Sequence, residues 1–348
     1  MRTSEVYAVL NQEFLSAESG QHTPVMLWGP PGIGKSQLVA QVAAQHDVTM
    51  IDIRLSQMEP TDLRGIPFRS ENRVEWAIPA MLPDATRHGA RGILFLDEIT
   101  SAPPSVSAAA YQLILDRSLG EYAIPEGWAI FAAGNRQGDR GVTYTMPAPL
   151  ANRFSHYEVE PHLDDWVAWA FAHNVDERLI GFLRFRPELL FEFDAQRNPI
   201  AFPSPRSWEF AGRALSKFDG RPRLMLGGLQ ACVGAAPGLE LHAYVESVTR
   251  MPDVHAIARG ECQDVPEELD LQYAVASALV AQAIRVKKKP EENSTLDFIL
   301  AYAALFPQRE MGVMLVSDLH RAMGAGVTQA ANFKPWARQV LDLMFDHA

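Results

Sequence analysis

The sequence contains two short stretches whose residue types and spacing fit phosphate chemistry. The first, GPPGIGKS at positions 29–36, matches the pattern GxxxxGK[ST] at every fixed position. Glycine allows positive φ and close approach of the backbone, so successive N–H groups can point at phosphate oxygens. The start of the following helix adds its positive dipole end. We expect a Walker A loop formed by Gly29, Pro30, Pro31, Gly32, Ile33, Gly34, Lys35, Ser36 and Gln37.

Two side chains of this loop have distinct predicted tasks. Lys35 is expected to reach the β- and γ-phosphates as a point charge, and the hydroxyl of Ser36 to ligate Mg²⁺. The alternative is a glycine-rich turn that binds nothing. At average residue frequencies the fixed positions coincide in only about one chain of this length in a hundred. The apolar segment before the loop and the helical pattern after it therefore favour nucleotide binding.

The second stretch, GILFLDE at 92–98, places two carboxylates at the end of an apolar strand, where α/β sheets bind their ligands. In this Walker B pattern, Asp97 is expected to hold Mg²⁺ through its water shell. Glu98 is expected to orient and deprotonate the attacking water. A carboxylate at this point favours hydrolysis over phosphoryl transfer to a small molecule. The alternative is a buried strand that simply ends in surface acids.

Three polar residues further along the chain extend the set. Asn135 ends another apolar strand, and its amide could hydrogen-bond the γ-phosphate or the lytic water, although Gly-Asn also commonly makes a turn. Arg153 precedes the predicted fifth strand, and Arg206 opens a predicted helix. A guanidinium delivered from a neighbouring subunit can stabilise the charge on a transferring phosphoryl group. For an isolated arginine, a surface ion pair is the commoner role.

The order of elements predicts two domains. Five apolar, strand-like runs at 25–29, 49–55, 92–98, 129–135 and 155–160 alternate with helical patterns, which indicates a parallel sheet covered by helices over residues 1–161. Residues 162–348 read as helices separated by Pro and Gly. Two further stretches, 69–76 and 118–128, predict short hairpins within the first domain. Their aromatic residues are candidates either for contact with a partner or for packing: Trp76, Tyr122 and Trp128.

Composition narrows the classes of function. The 348 residues include 47% hydrophobic and 21% charged side chains, which is ordinary for a globular protein. The formal net charge of −11 disfavours a binder of nucleic-acid backbones. The basic run RVKKKPEEN at 285–293 reads as a solvated helix end. The two cysteines, Cys232 and Cys262, suggest no metal site or disulfide framework. With no membrane span or signal peptide predicted, we expect a cytoplasmic protein.

The ordered motifs resemble those of the AAA+ ATPases, and within them the MoxR-type branch with its helix-2 insert. The resemblance covers roughly residues 20–215 and rests on GPPGIGKS, ILFLDE, Asn135, LANRF and SPR, together with MEPTDLRGIP at 58–67 and VEWAIPAMLP at 74–83. It implies a P-loop AAA+ core with a five-stranded parallel sheet, a helical lid and a helical C-terminal extension.

The same resemblance implies an activity and partners. The chain would bind ATP and Mg²⁺, hydrolyse ATP, and assemble into a homo-oligomeric, hexameric ring. Asn135 would be sensor 1, Arg153 the finger supplied in trans, and Arg206 sensor 2. The family often has Asn-Pro at sensor 1, whereas Arg136 follows Asn135 here and Arg140 lies close behind. All three arginines therefore remain candidates for the finger. The implied client is a protein with a von Willebrand factor A domain, which the ring would remodel or help to mature.

Other functions are compatible with the same motifs. Relatives that share the helix-2 insert act on DNA, so a nucleic-acid translocase is the first alternative, and the acidic charge opposes it. A nucleotide-gated scaffold that hydrolyses slowly is the second. A small-molecule kinase ranks last because it would need neither Glu98 nor an arginine supplied in trans.

Overall fold

A computed structural model describes residues 1–136, 144–194 and 200–345 of the chain. Arg140, one of the three candidates for the finger, lies outside the described residues. The chain divides into two compact units, Met1–His162 and Leu163–Ala348. Each unit has its own core, and each is treated separately below.

The first unit is built on a five-stranded parallel sheet. Its strands, with those of two small hairpins, are β1 (Val25–Trp28), β2 (Thr49–Arg54), β3 (Ile66–Ser70), β4 (Arg73–Ala77), β5 (Arg91–Asp97), β6 (Ser118–Leu119), β7 (Tyr122–Ala123), β8 (Gly127–Gly134) and β9 (Ser155–Glu158). The sheet has the order β2-β5-β8-β1-β9, and its neighbouring strands are parallel. The predicted five-stranded sheet is confirmed.

Burial explains why the central strands read as unbroken apolar runs. Residues 92–96 of β5 and 128–134 of β8 are buried, as expected where helices cover both faces of a parallel sheet. The helices of this unit are α1 (Thr3–Ser16), α2 (Lys35–Gln45), α3 (Pro60–Arg64), α4 (Ala85–His88), α5 (Pro104–Asp116) and α6 (Ala148–Ala151). Apolar residues of α5, among them Val106 and Leu113, pack in one cluster with Leu94 and Ile130 of the sheet.

Both predicted hairpins are present. β3 pairs antiparallel with β4, and β6 with β7. Of the two interpretations of the three aromatic residues near these hairpins, contact with a partner is wrong for two of them. Trp128 is fully buried and donates its indole N–H to the carbonyl of Gly89, and Tyr122 is buried and donates its hydroxyl to the carbonyl of Pro83. Both rings pack their own domain, while Trp76 on β4 remains 44% exposed.

The second unit is helical in its described residues, as the sequence predicts. Its helices are α7 (Leu163–Ala172), α8 (Glu177–Phe185), α9 (Pro205–Lys217), α10 (Pro222–Val233), α11 (Ala235–Val248), α12 (Val254–Ala258), α13 (Leu269–Val286), α14 (Glu292–Ala303), α15 (Arg309–Met323), α16 (Ala325–Gln329) and α17 (Phe333–Phe345). α13 lies at the centre, since most of its apolar residues are buried in the core cluster. Lys287, Lys288 and Lys289 follow its end and are exposed, in line with a solvated helix end.

An ionic cluster with a buried central pair connects three helices of this unit. The guanidinium of Arg184 on α8 donates to Asp164 on α7 and to Asp318 on α15, each over 2.6 Å. Arg321 lies 3.4 Å from both carboxylates. The side chains of Arg184 and Asp318 are only 8% and 6% exposed. Both charges are therefore largely removed from water, and each is stabilised by its ion-pair partner.

Of the described helices, none has both the length and the apolar character that a membrane span requires. Cys232 and Cys262 are free thiols at intermediate exposure.

Candidate active site

Three polar segments meet at one edge of the sheet. The loop at 29–34 follows β1, Asp97 ends β5, and Asn135 follows β8. Because β5, β8 and β1 are neighbours and parallel, their carboxyl ends lie at the same edge, where sheets of this kind bind ligands. Motifs that are far apart in the sequence are therefore brought together.

The loop has the backbone of an anion cradle. Gly34 has φ +97° and stands at the N-cap of α2, a left-handed conformation that side chains with a Cβ adopt rarely. Ile33 is 3% exposed and anchors the loop in the interior. The first N–H groups of α2 have no intrahelical acceptor and carry the positive end of the helix dipole. Gln37, on this first turn, is exposed.

Three oxygens of the described residues contact Lys35. Its ammonium lies 2.5 Å from the carbonyl oxygen of Gly29, 3.1 Å from that of Pro30 and 3.2 Å from Oδ1 of Asn135. The side chain is half-buried. The contact with Asn135 joins the Walker A loop to the predicted sensor at the end of the neighbouring strand.

Ser36 and Asp97 form the second link between motifs. The hydroxyl of Ser36 donates to Oδ2 of Asp97 over 3.1 Å, and the other carboxylate oxygen accepts the backbone N–H of Glu98 over 2.8 Å. A hydroxyl and a carboxylate are hard oxygen ligands of the kind that Mg²⁺ takes. The two residues predicted to serve the metal are therefore in direct contact.

Glu98 has an unusual backbone conformation. Its φ of +56° is left-handed, which is uncommon for a residue with a side chain and is found at functional sites. A hydrogen bond from the hydroxyl of Ser56 to Oε2 of Glu98 holds the carboxylate. Ser56 lies in the short 3₁₀ turn that follows β2, the strand beside β5. The predicted base is thus restrained by a residue from the adjacent strand end.

Several carboxylates lie close together at this edge of the sheet and affect each other's protonation. The pKa of Asp52 on β2 is raised above its ordinary value, first by burial and then by the negative charge of Asp97, with a smaller effect of Glu98. Arg54 acts in the opposite direction. A divalent cation beside Asp97 would offset this accumulated negative charge.

Asn135 is fixed at both its side chain and its backbone. Oδ1 accepts from Lys35, and its backbone N–H donates to the hydroxyl of Thr100 over 3.2 Å. Thr100 is 4% exposed and belongs to the turn that follows Glu98. The amide at the end of β8 is therefore positioned by both the Walker A loop and the turn after the Walker B strand.

The candidate arginines differ in what they contact. Arg136 forms an ion pair with Glu158 on β9 over 2.9 Å. Arg153 follows α6, is exposed, and has no ion pair with any residue that the structure describes. Arg206 belongs to the second unit, where it is exposed in the first turn of α9. Of the two described candidates for the finger, Arg136 makes an ion pair within its own unit, whereas Arg153 makes none with the described residues.

Two contact residues at this edge were missed from the sequence: Ser56, which binds Glu98, and Thr100, which binds Asn135. Neither belongs to a pattern that spacing can reveal. The contact of Ser56 depends on β2 lying beside β5, and that of Thr100 depends on β5 lying beside β8. This strand order cannot be read from local sequence.

The segment that holds this edge is similar to a known protein family. Residues 24–154 match the model of the AAA domain, dynein-related subfamily. Among curated proteins, the chain is 29% identical over 145 residues to Midasin of Giardia intestinalis, an alignment that covers 39% of this chain. It is 36% identical over 69 residues, 18% of the chain, to human NACHT domain- and WD repeat-containing protein 1. These alignments span only 3% and 4% of the two relatives.

Two solved structures show distant similarity to this chain. An ATPase, so described, from Cytophaga hutchinsonii aligns over 94% of this chain and 78% of its own, with 14% identity and a TM-score of 0.34. A mutant of Thermotoga maritima RuvB aligns over 87% of this chain and 89% of its own, with 16% identity and a TM-score of 0.38. Likeness at this level carries no argument about function.

Proposed function

We propose, from the AAA+ ATPase domain that residues 24–154 contain, that this chain is an Mg²⁺-dependent ATPase of the MoxR type. It assembles into a homo-oligomeric, hexameric ring and remodels a partner protein. The observation that carries the proposal is the direct contact between motifs distant in sequence: Lys35 with Asn135, and Ser36 with Asp97.

In this function the loop and the start of α2 bind the phosphates of ATP. The backbone N–H groups and the helix dipole attract the anionic phosphates. Lys35 has three ammonium hydrogens, so it can turn one or more of them from the carbonyls of Gly29 and Pro30 to phosphate oxygens. Ser36 and Asp97 would hold Mg²⁺, whose charge offsets that of the phosphates when it is bound.

Hydrolysis requires a base and a positioned water. Glu98 accepts the proton of the attacking water, and its second carboxylate oxygen, Oε1, can take it while Ser56 donates to Oε2. Asn135 presents an amide beside Lys35, where it can hydrogen-bond the water or the γ-phosphate. Ser56 thus orients the carboxylate of the base.

In the proposed ring, an arginine of the next subunit stabilises the negative charge on the transferring phosphoryl group. Arg153 is exposed and makes no ion pair among the described residues, which supports its role as the finger. An arginine supplied in trans makes catalysis depend on assembly, and such residues contribute about 10³- to 10⁵-fold in rate. Arg206 serves as sensor 2 in the helical unit.

The hairpin β3–β4 supports a protein client. Ile66, Phe68, Val74 and Trp76 are between 44% and 67% exposed on this two-stranded ribbon. Exposed apolar side chains grouped on one element mark protein contacts. The charged residues between them are of both signs, and the net charge is −11, which opposes binding to a phosphate backbone. A protein with a von Willebrand factor A domain is the proposed client.

One pair of variants tests the ATPase and its assembly. Glu98→Gln should bind ATP and not turn it over, and Arg153→Ala should bind ATP with turnover lower by about 10³-fold or more. Mixing the two should restore turnover, because the first supplies Arg153 to the intact site of the second. Arg136→Ala is the matched control and should lose far less. Loss of ATP binding in Arg153→Ala would instead make this residue structural.

The client is tested with the same Glu98→Gln variant. Purified from its native cell extract in the presence of ATP, it should retain a stoichiometric protein partner. Co-elution of nucleic acid that leaves at raised salt, together with DNA-stimulated turnover of the wild type, would replace the remodelling function with translocation.

A further inference from the structure

His156 on β9 contacts both the residue before the phosphate loop and the turn after α6 that contains Arg153. The indole N–H of Trp28, the residue before Gly29, donates to Nδ1 of His156 over 2.9 Å. Nε2 of the same imidazole lies 2.8 Å from the carbonyl oxygen of Ala151, the last residue of α6. The indole and imidazole rings also stack, with centroids 5.9 Å apart.

The two partners define the protonation of this imidazole. An indole N–H can only donate, so Nδ1 must offer a lone pair. A carbonyl oxygen can only accept, so Nε2 must carry the hydrogen. His156 is therefore the neutral Nε2–H tautomer, with one acceptor directed at Trp28 and one donor directed at Ala151. An imidazole that carried hydrogens on both nitrogens could not accept from the indole.

The turn that bears Arg153 is anchored at both ends. The carbonyl of Ala151 accepts the His156 imidazole and also the backbone N–H of Phe154, the latter over 3.2 Å. Phe154 is 7% exposed and packs its ring edge against the same imidazole, with centroids 6.2 Å apart. Only Asn152 and Arg153 between these anchors are exposed.

We propose that His156 is a positioning residue that sets the place of Arg153 through the carbonyl of Ala151 and couples it to the phosphate loop through Trp28. A shift of the loop on binding nucleotide moves the indole, and the imidazole passes that movement to the turn. The subunit would thereby adjust the arginine it offers to its neighbour according to its own nucleotide. This inference rests on the proposed role of Arg153 in trans.

Mixed assemblies separate this role from a general structural one. The donor subunit carries Glu98→Gln and supplies Arg153, and the acceptor carries Arg153→Ala and supplies the working site. His156→Leu is placed in the donor or in the acceptor, and ATP turnover of the mixture is measured. We expect about a tenfold loss in the donor placement, the rate equivalent of a lost hydrogen bond. The acceptor placement should retain most of the restored rate.

Two conservative substitutions identify the bond that matters. The amide of Gln reaches the position of Nε2 and can still donate to Ala151, whereas the shorter Asn reaches only that of Nδ1. In the donor, His156→Gln should therefore keep more of the restored rate than His156→Asn. Tyr157→Phe, on the opposite face of the same strand, is the matched control and should not lower it.

The outcomes are distinct. Equal losses in donor and acceptor placements would make His156 merely structural, and no loss in either would remove its role altogether. Equal rates for the Gln and Asn variants would exclude the route through Ala151. If the parent mixture without any change at His156 fails to restore turnover, Arg153 does not act in trans, and the proposed function is overturned together with this inference.

Discussion

His22 makes the first unit sensitive to acid. It lies ahead of β1, and its side chain is only 3% exposed. Its Nε2 accepts the backbone N–H of Ile130 on β8 over 2.8 Å, and its Nδ1 lies 3.2 Å from the carbonyl oxygen of Glu13. The neutral imidazole with hydrogen on Nδ1 satisfies both partners. A proton added to Nε2 would meet the N–H of Ile130 and break that bond.

The size of the effect follows from the pKa. Burial, and then the positive charge of Arg117, lower the pKa of His22 from 6.5 to about 4. The unfolded chain therefore takes up a proton at higher pH than the folded chain does, so falling pH favours unfolding. Well above pH 6.5, His22 does not lower the free energy of unfolding. At pH 5 it lowers that free energy by about 2 kcal/mol, and at pH 4 by about 3 kcal/mol.

The measurement is urea unfolding at pH 7, 5 and 4 for the wild type and for His22→Gln. A glutamine oxygen can accept from Ile130 but does not titrate, so the variant should lose less stability on acidification, by about 2 kcal/mol at pH 5. His173→Gln, at an exposed histidine of the second unit, is the control and should follow the wild type. Parallel pH dependences for His22→Gln and the wild type would refute the reasoning.

Two further predictions concern stability. Gly65 has φ +82°, and a Cβ there would lie 2.0 Å from the carbonyl oxygen of Ala77. Gly65→Ala should therefore cost at least ~1 kcal/mol and make the hairpin β3–β4 easier to cleave in limited proteolysis; unchanged cleavage would contradict this. Arg184→Ala should lower the free energy of unfolding by about 1–3 kcal/mol because it leaves the buried Asp318 with only the more exposed Arg321 as its partner. Arg184→Met with Asp318→Leu should recover much of that loss in urea titrations, and a double variant no better than the single one would exclude the explanation.

The strands of the core were predictable because their burial is continuous. Residues 92–96 and 128–134 are buried in the sheet, so each strand appears as one apolar run in the sequence. Trp128 lies at the boundary between a predicted hairpin and a buried strand. The local sequence pattern does not show whether its side chain belongs to the hairpin surface or to the core. Its contact with Gly89, 39 residues away, decides the matter.

The contacts of the candidate site could be predicted where its residues are neighbours in sequence, and they could not where the residues meet through the sheet. The loop residues and the pair Asp97-Glu98 lie in contiguous motifs. The bond from Ser56 to Glu98 joins residues 42 positions apart, and that from Trp28 to His156 joins residues 128 apart. Both depend on β2 lying beside β5 and β9 beside β1, and strand order is a property of the folded sheet.

Thr100 binds both ends of the segment between β8 and α6. Its hydroxyl accepts the N–H of Asn135, and its carbonyl accepts the N–H of Tyr144 over 2.6 Å. The two ends therefore share one attachment point on the turn that follows the Walker B strand. Residue 100 thus links Asn135 to Tyr144, so a substitution that displaces the Thr100 backbone would disturb both residues together.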